Sequence, residues 1–213
     1  LVGLDHDALI YSLLQQRKIP YVLTWAYHKD CPHPCVGFDN YAAAMLIPTH
    51  LAKLGHQKFA VINGISKGND RALDRLKGMQ NSLLAQGISL AQSAIIECNY
   101  TIEAGREACR KLLTSKHPPT AILCSNDVLA TGALLECQAS GVKVPEQVSI
   151  AGFDDLAISA NLTPSLTTIH IPFKLMGQQA AQYLIDRLAG ETPPAQQELS
   201  IELRLRNSTS APS

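Results

Sequence analysis

Four short apolar runs in this chain each stop at a cluster of polar residues, and that repetition limits the folds open to it. KFAVING (58–64) gives way to the polar loop ISKGND. SAIIECN (93–99) runs into Tyr100, TAILC (120–124) into Ser125-Asn126-Asp127, and QVSIAGF (147–153) into Asp154-Asp155. Between them lie helix-like stretches: DRALDRLKGMQNSLLAQG, TIEAGREACRKLLTS and VLATGALLECQASG. In the first of these Leu73, Leu76, Leu83 and Leu84 recur near a 3.6-residue period, and Gly87 supplies a stop. Strands rich in Val, Ile and Ala, without clean polar alternation, suit a parallel sheet covered on both faces. Alternating strands and helices with short connections specify an α/β doubly wound fold. Such sheets bind ligands beyond the carboxyl ends of their strands. Asn126, Asp127 and Asp154 fall at those ends and are the first candidates for a crevice. Asp127 is expected to cap the helix that follows, worth ~1 kcal/mol, which leaves Asn126 facing the crevice. Asp154-Asp155 reads either as a pocket pair or as a plain turn.

The flanks break the rhythm. Upstream come YVLTW (21–25), CVGFDN (35–40) and the helical AAAMLIPTHLAKL, in which Pro48 should kink the helix at a cost near ~3 kcal/mol. Residues 1–57 hold only about two strand–helix units, so this lobe is expected to have its opening elements upstream of Leu1. Downstream, LTPSLTTIHIP (162–172) is too β-branched for a loop tip and reads as a crossing strand. The amphipathic FKLMGQQAAQYLIDRLAG, the linker TPPAQQ and the last strand ELSIELRLRNS follow. A chain that crosses, makes a helix and crosses back describes two lobes joined by several strands. The division expected is 1–57 with 171–193 for the first lobe, and 58–170 with 194–213 for the second.

Composition narrows the function. Lys+Arg and Asp+Glu balance at 18 each over 213 residues, so nothing here is a basic surface for nucleic acid. Hydrophobic residues at 46% and charged ones at 17% describe an ordinary globular chain. No apolar run approaches the ~20 residues of a membrane helix. The six cysteines lack disulfide-framework spacing, and Cys98, Cys109, Cys124 and Cys137 sit inside apolar elements. A cytoplasmic location without a membrane partner or cofactor is the expectation.

Two motifs suggest chemistry. HKDCPHPC (28–35) brings Cys31, His33 and Cys35 together, yet a structural zinc site wants a second ligand pair, and none is visible. The bland reading is a proline-stiffened connection. NGISKG (63–68) contains Gly-x-Ser-x-Gly after a strand, with Asp154 and His170 downstream, the chain order of an α/β-hydrolase. Ser66 nevertheless sits in a loose polar loop rather than at a sharp strand-to-helix elbow, so a serine esterase is only a remote alternative.

The strand-end sequences, taken in order, resemble the effector-binding core of the lactose-repressor (LacI/GalR) family. FDNYAAAMLIPTHLAKLGHQKFAVING, DRLKG, PPTAILCSNDVLATGAL, GVKVPEQVSIAGFDD, TPSLTTIHIPFKLMGQQA and LRLRNST carry that resemblance from Pro20 onward. It implies a periplasmic-binding-protein-like fold with an incomplete first lobe, and a helix-turn-helix headpiece absent from these residues. It also implies a homodimer on operator DNA and a small effector (a sugar, a sugar derivative or a nucleobase-like compound) held between the lobes. Position by position, Arg75 matches an arginine that opens a second-lobe helix and donates to the effector. Tyr100 matches an aromatic against the effector ring, although the residues alone leave it equally a core tyrosine. Asn126 and Asp154 match polar contacts, and Asp70 and Arg71 lie in a loop where the family also places contacts. Where the family often carries an Asp this chain has Trp25, which suits a ligand with a flat or apolar face. The rival function is a periplasmic-type sugar-binding protein.

Overall fold

In the computed structural model, which describes residues 1–213, the chain builds two parallel sheets. The first joins β1 (Leu23–Thr24), β2 (Cys35–Gly37) and β8 (Gln196–Glu198), with Val2 bridged to Thr24 at its edge. The second holds β3 (Phe59–Gly64), β4 (Ile95–Cys98), β5 (Ala121–Cys124) and β6 (Ser149–Ala151) in the order β4-β3-β5-β6. β3 and β5 are buried along their whole length, as a sheet covered on both faces requires. The crossing stretch is β7 (Thr168–His170), paired antiparallel with β9 (Glu202–Arg204) and bridged in parallel to the end of β6 at Ala151 and Asp154.

The helices are α1 (Ala8–Gln16), α2 (Asn40–Lys53), α3 (Asp70–Leu84), α4 (Ile102–Leu113), α5 (Asp127–Ala139) and α6 (Phe173–Leu188). α4 and α5 cover one face of the second sheet and approach closely because Gly105 and Gly132 carry no side chain. A Cβ on either would strike the backbone of Leu129 or Ile102 on the facing helix. α6 lies on the first sheet, where Met176, Ala180 and Tyr183 join Val22 and Val36 in the core.

Two dividing points read from the sequence do not follow the packing. α2 belongs with the second sheet, because it lies against α3. Gly78 of α3 sits on the Tyr41 carbonyl, Ser82 Oγ donates to the Met45 carbonyl at 3.1 Å, and Asn81 donates to Tyr41 Oη at 3.0 Å. β8 in turn adds to β2 of the first sheet rather than to the second lobe. Parallel strands need only an open edge, and edge pairing over three residues leaves almost no hydrophobic pattern to read. Pro48 lies inside α2 without ending it.

The two motifs pack locally. His33 stacks on Tyr11 with centroids 3.8 Å apart, and its Nδ1 meets Tyr21 Oη at 2.8 Å, so the His28–Cys35 region packs as a small aromatic cluster. Ser66 donates to Glu97, while His170 Nδ1 bonds Asp155 at 2.9 Å; the hydrolase residues are engaged in separate pairs. No helix is long and apolar enough to cross a membrane.

Candidate functional site

Trp25 follows β1, Asn69 follows β3, Tyr100 follows β4, Asn126 follows β5 and Asp154 follows β6. Together with Arg71 and Arg75 from α3, these residues line one cavity of about 150 Å³ at the carboxyl ends of the strands. Six of the seven residues singled out from the sequence therefore meet there. The seventh, Asp70, does not line it; its carboxylate is taken by the Leu4 N–H at 2.8 Å and by Arg71 at 3.1 Å.

Arg75 organises the floor. It stands in the second turn of α3, not at the helix opening as expected. Helical side chains lean toward the N-terminus, so a long one in the second turn still delivers its head group to the helix start. The residue is 5% exposed. Its Nε donates to Asn40 Oδ1 at 2.8 Å, and Nη1 donates to the Ser125 carbonyl at 2.7 Å and to Asp154 Oδ1 at 3.3 Å. The guanidinium lies 3.8 Å from the Phe153 ring centroid, a cation–π contact. Nη2 makes no hydrogen bond within the chain. A nearly buried guanidinium nitrogen with two free N–H groups beside a cavity is a donor waiting for an acceptor.

Asp154 faces it with a backbone φ of 117°, a region side-chain-bearing residues rarely occupy. Burial raises its carboxyl from the ordinary range to about 6, the Arg75 charge only partly opposing that rise. Asp154 Oδ1 accepts from Arg75, and Oδ2 has no donor within the chain. Trp25 is likewise held at positive φ, 68°. Its ring lies 5.1 Å from that of Phe173 at the start of α6, and its backbone N–H points at Met176 Sδ, 3.4 Å away. Strained backbone clusters at functional sites, where the surrounding structure holds it. Tyr100 is 38% exposed and lies over Gly64, whose missing Cβ gives the ring its place. It lines the cavity wall rather than sitting in the core.

The cap differs from the expectation, although the crevice residue does not. Asn126 is the cap of α5, its side chain accepting from the Leu129 N–H at 2.9 Å, while still lining the cavity. Asp127 is fully buried one residue further on. It accepts from Ser159 Oγ at 2.6 Å, Thr168 Oγ1 at 2.6 Å and the Leu156 N–H at 2.9 Å. Asn and Asp are equally good caps, so the pair alone could not show which residue turns inward.

Three contributors escaped the sequence reading. Asn69 caps α3 through the Ala72 N–H and lines the cavity; its place before Asp70 was the available signal. Phe173 backs Trp25. Asn40, 3% exposed, donates to the Trp25 carbonyl at 2.7 Å and accepts from Arg75 Nε, tying the two walls together. It ends the same strand-to-helix pattern as Asn126, which was the legible clue. Larger hollows exist elsewhere, for example about 440 Å³ near Lys58, Lys116 and His117 at the amino ends of the strands. Every polar side chain on that rim is exposed, so volume alone does not make it the better site.

The family model for the periplasmic binding protein-like domain matches residues 49–209. The HTH-type transcriptional repressor CytR of Escherichia coli strain K12 is 34% identical over 202 residues, which are 94% of this chain and 59% of the repressor. The chain thus spans well under two thirds of that relative. Among solved structures, the transcription regulator GntR from Chromobacterium violaceum superposes with a TM-score of 0.91 at 30% identity, covering 98% of this chain and 77% of that one. A sugar-binding LacI-family regulator from Escherichia coli, complexed with phosphate, gives 0.85 at 30% identity, covering 96% and 73%. The matched domain, the two parallel sheets and the strand-end cavity agree, and the chain belongs to the periplasmic binding protein-like domain family.

Proposed function

We propose that this chain is the effector-sensing core of a bacterial DNA-binding transcriptional repressor and not an enzyme. Its ligand is a small metabolite held between the two sheets. The observation that carries this reading is the convergence of Arg75, Asp154, Asn126, Arg71, Tyr100 and Trp25 on one cavity. The first two keep unused hydrogen-bonding capacity there. A cavity near 150 Å³ is about the size that holds one six-membered ring. Arg75 Nη2 would donate to a ring or carbonyl oxygen, Asp154 Oδ2 would accept from a hydroxyl or amino group, and Trp25 and Tyr100 would cover the ring faces. That chemistry fits a sugar, a sugar derivative or a nucleobase-like compound.

In this reading operator DNA is contacted by a helix-turn-helix headpiece in the part of the relatives that the chain does not span. Ligand binding changes the angle between lobes, and thereby the spacing of two headpieces in a dimer on a palindromic site. Effector and DNA affinities are then coupled reciprocally, typically by ~1–3 kcal/mol.

The test is a thermal-shift panel of sugars, sugar acids, sugar phosphates and nucleobases, with Asp154→Ala in parallel. A true ligand at ~100 times its dissociation constant stabilises by ~2.7 kcal/mol. A hit that disappears in Asp154→Ala supports the site. A hit that persists unchanged in the variant moves the ligand elsewhere and defeats the reading.

A further inference from the structure

Asp70 and Arg71 were expected to touch the ligand, but their hydrogen bonds run in another direction. Arg71 Nη1 donates to the Val2 carbonyl at 3.1 Å and to Asp70 Oδ1 at 3.1 Å, while Asp70 Oδ2 accepts the Leu4 N–H at 2.8 Å. The four groups close a ring around Gly3. That residue belongs to the first sheet, since its N–H donates to the Thr24 carbonyl at 2.9 Å and its neighbour Val2 is bridged to Thr24. Asp70 and Arg71 open α3 on the second sheet.

Gly3 suits this place on two counts. Its φ is +81°, which side-chain-bearing residues rarely adopt, and a Cβ would run into the Arg71 guanidinium and the Asp70 carboxylate. The ring lies beside the cavity, sharing Arg71 with its lining and following the strand edge next to Trp25. The two side chains grip peptide groups 2–4 of the facing sheet from both sides.

We propose that Asp70, Arg71 and Gly3 form a clasp that holds the two lobes closed over the cavity without any contribution from the ligand. Asp70 is then a positioning residue, and part of the closure is in place before binding. The function of the clasp rests on the effector-sensing reading, but its existence does not. A ligand that fits the closed cavity would bind a partly preorganised site, and a bulkier one would first have to break the clasp. Charge-assisted hydrogen bonds of this kind each favour the closed form by roughly tenfold.

Trp25 is the single tryptophan of the 213-residue chain and lines the cavity, so its fluorescence reports closure directly. The experiment is acrylamide quenching of the ligand-free protein in wild type, Gly3→Ala, Asp70→Ala and the double variant, each first checked for cooperative thermal unfolding. The expected result is a quenching constant raised roughly twofold in either single variant, with no further rise in the double, since both remove one shared interaction. Asp70 also favours the start of α3 through the helix dipole, but a loss confined to that role lowers the melting temperature and leaves Trp25 as protected as before. If Gly3→Ala does not fold, Asp70→Ala alone carries the test. Quenching unchanged in Asp70→Ala, or additive rises in the double variant, overturns the clasp. Because no ligand is used, failure here is separate from failure of the ligand panel.

Discussion

Two aspartates stand at neighbouring strand ends, both in buried surroundings, and they are built in opposite ways. Asp127 spends its oxygens on the protein: Ser159, Thr168 and the Leu156 N–H all donate to it. Those bonds pin the turn after β6 and the crossing strand β7 to the start of α5. Asp154 has one partner, Arg75, at a long 3.3 Å, and a backbone twisted to φ 117°. Burial raises both carboxyls above their ordinary range, so the shift does not tell them apart. Idle capacity does. A carboxylate whose two oxygens are both engaged by its own chain is there to hold the fold, whereas one left with an empty oxygen beside a cavity is available to something else.

The largest expected effect comes from removing the filled one. Asp127→Ala leaves two buried hydroxyls and one half-buried N–H without their acceptor, and each unsatisfied buried group costs about 1–3 kcal/mol. A loss near 3 kcal/mol, or about 10 °C in melting temperature for a chain of this size, is expected in urea and thermal unfolding. Asp154→Ala should cost less by the same measurements, because Arg75 keeps its bonds to Asn40 and the Ser125 carbonyl. Equal losses in the two variants would erase the contrast between them.

The strands and helices that place these aspartates were legible because period and punctuation are local. β3 through β6 and α3 through α5 appear where apolar runs and caps put them. What failed was non-local. β8 joins a sheet whose other strands lie some 160 residues earlier in the chain, and α2 turns the Tyr41 carbonyl and Ala44 toward Gly78 of α3. At the site, strand-end position found Asn126 and Asp154. It missed Asn40, whose value lies in bridging the Trp25 carbonyl to Arg75, because a bridge is a property of three residues far apart. Nor could it show that the Asp70 carboxylate accepts a backbone N–H, because that partner lies in a segment with no side-chain signature beyond one glycine.

The second comparison uses pH. The Asp154 carboxyl titrates near 6 when folded, against an ordinary value of 3.8. Between those values the folded protein holds more protons than the unfolded chain, so stability rises as pH falls and is lowest above 6. The Asp154 share of that gain is about 2 kcal/mol between pH 7 and pH 4. Asp127 contributes in the same direction, so the informative quantity is the difference between wild type and Asp154→Asn in urea midpoints across that range. The difference should close toward acid. For a hydroxyl-bearing ligand, affinity in the wild type should fall by about tenfold as Asp154 protonates and loses acceptor strength. In Asp154→Asn it should be weak and flat. A ligand affinity that ignores pH in the wild type would mean that Asp154 Oδ2 is not the acceptor.

The smallest effect tests the wall where a carboxylate was expected and an indole stands. Trp25 leans on Phe173 with ring centroids 5.1 Å apart and is held at φ 68° by the Asn40 amide and the Met176 sulfur. Trp25→Phe keeps an aromatic face, the backbone contacts and the neutral charge while giving up part of the flat surface. Aromatic pairs contribute about 0.5–1.5 kcal/mol beyond area, so a three- to tenfold weakening is expected for a ligand that stacks there, measured by calorimetry because the fluorophore is lost. Trp25→Asp restores a carboxylate on the first-sheet wall, opposite Asp154. If Trp25 sets the preference for flat ligands, this change should raise affinity for a polyhydroxylated sugar while abolishing binding of a flat one. A sugar that binds the wild type tightly and Trp25→Asp poorly would reverse that assignment, making the indole itself the sugar-stacking surface.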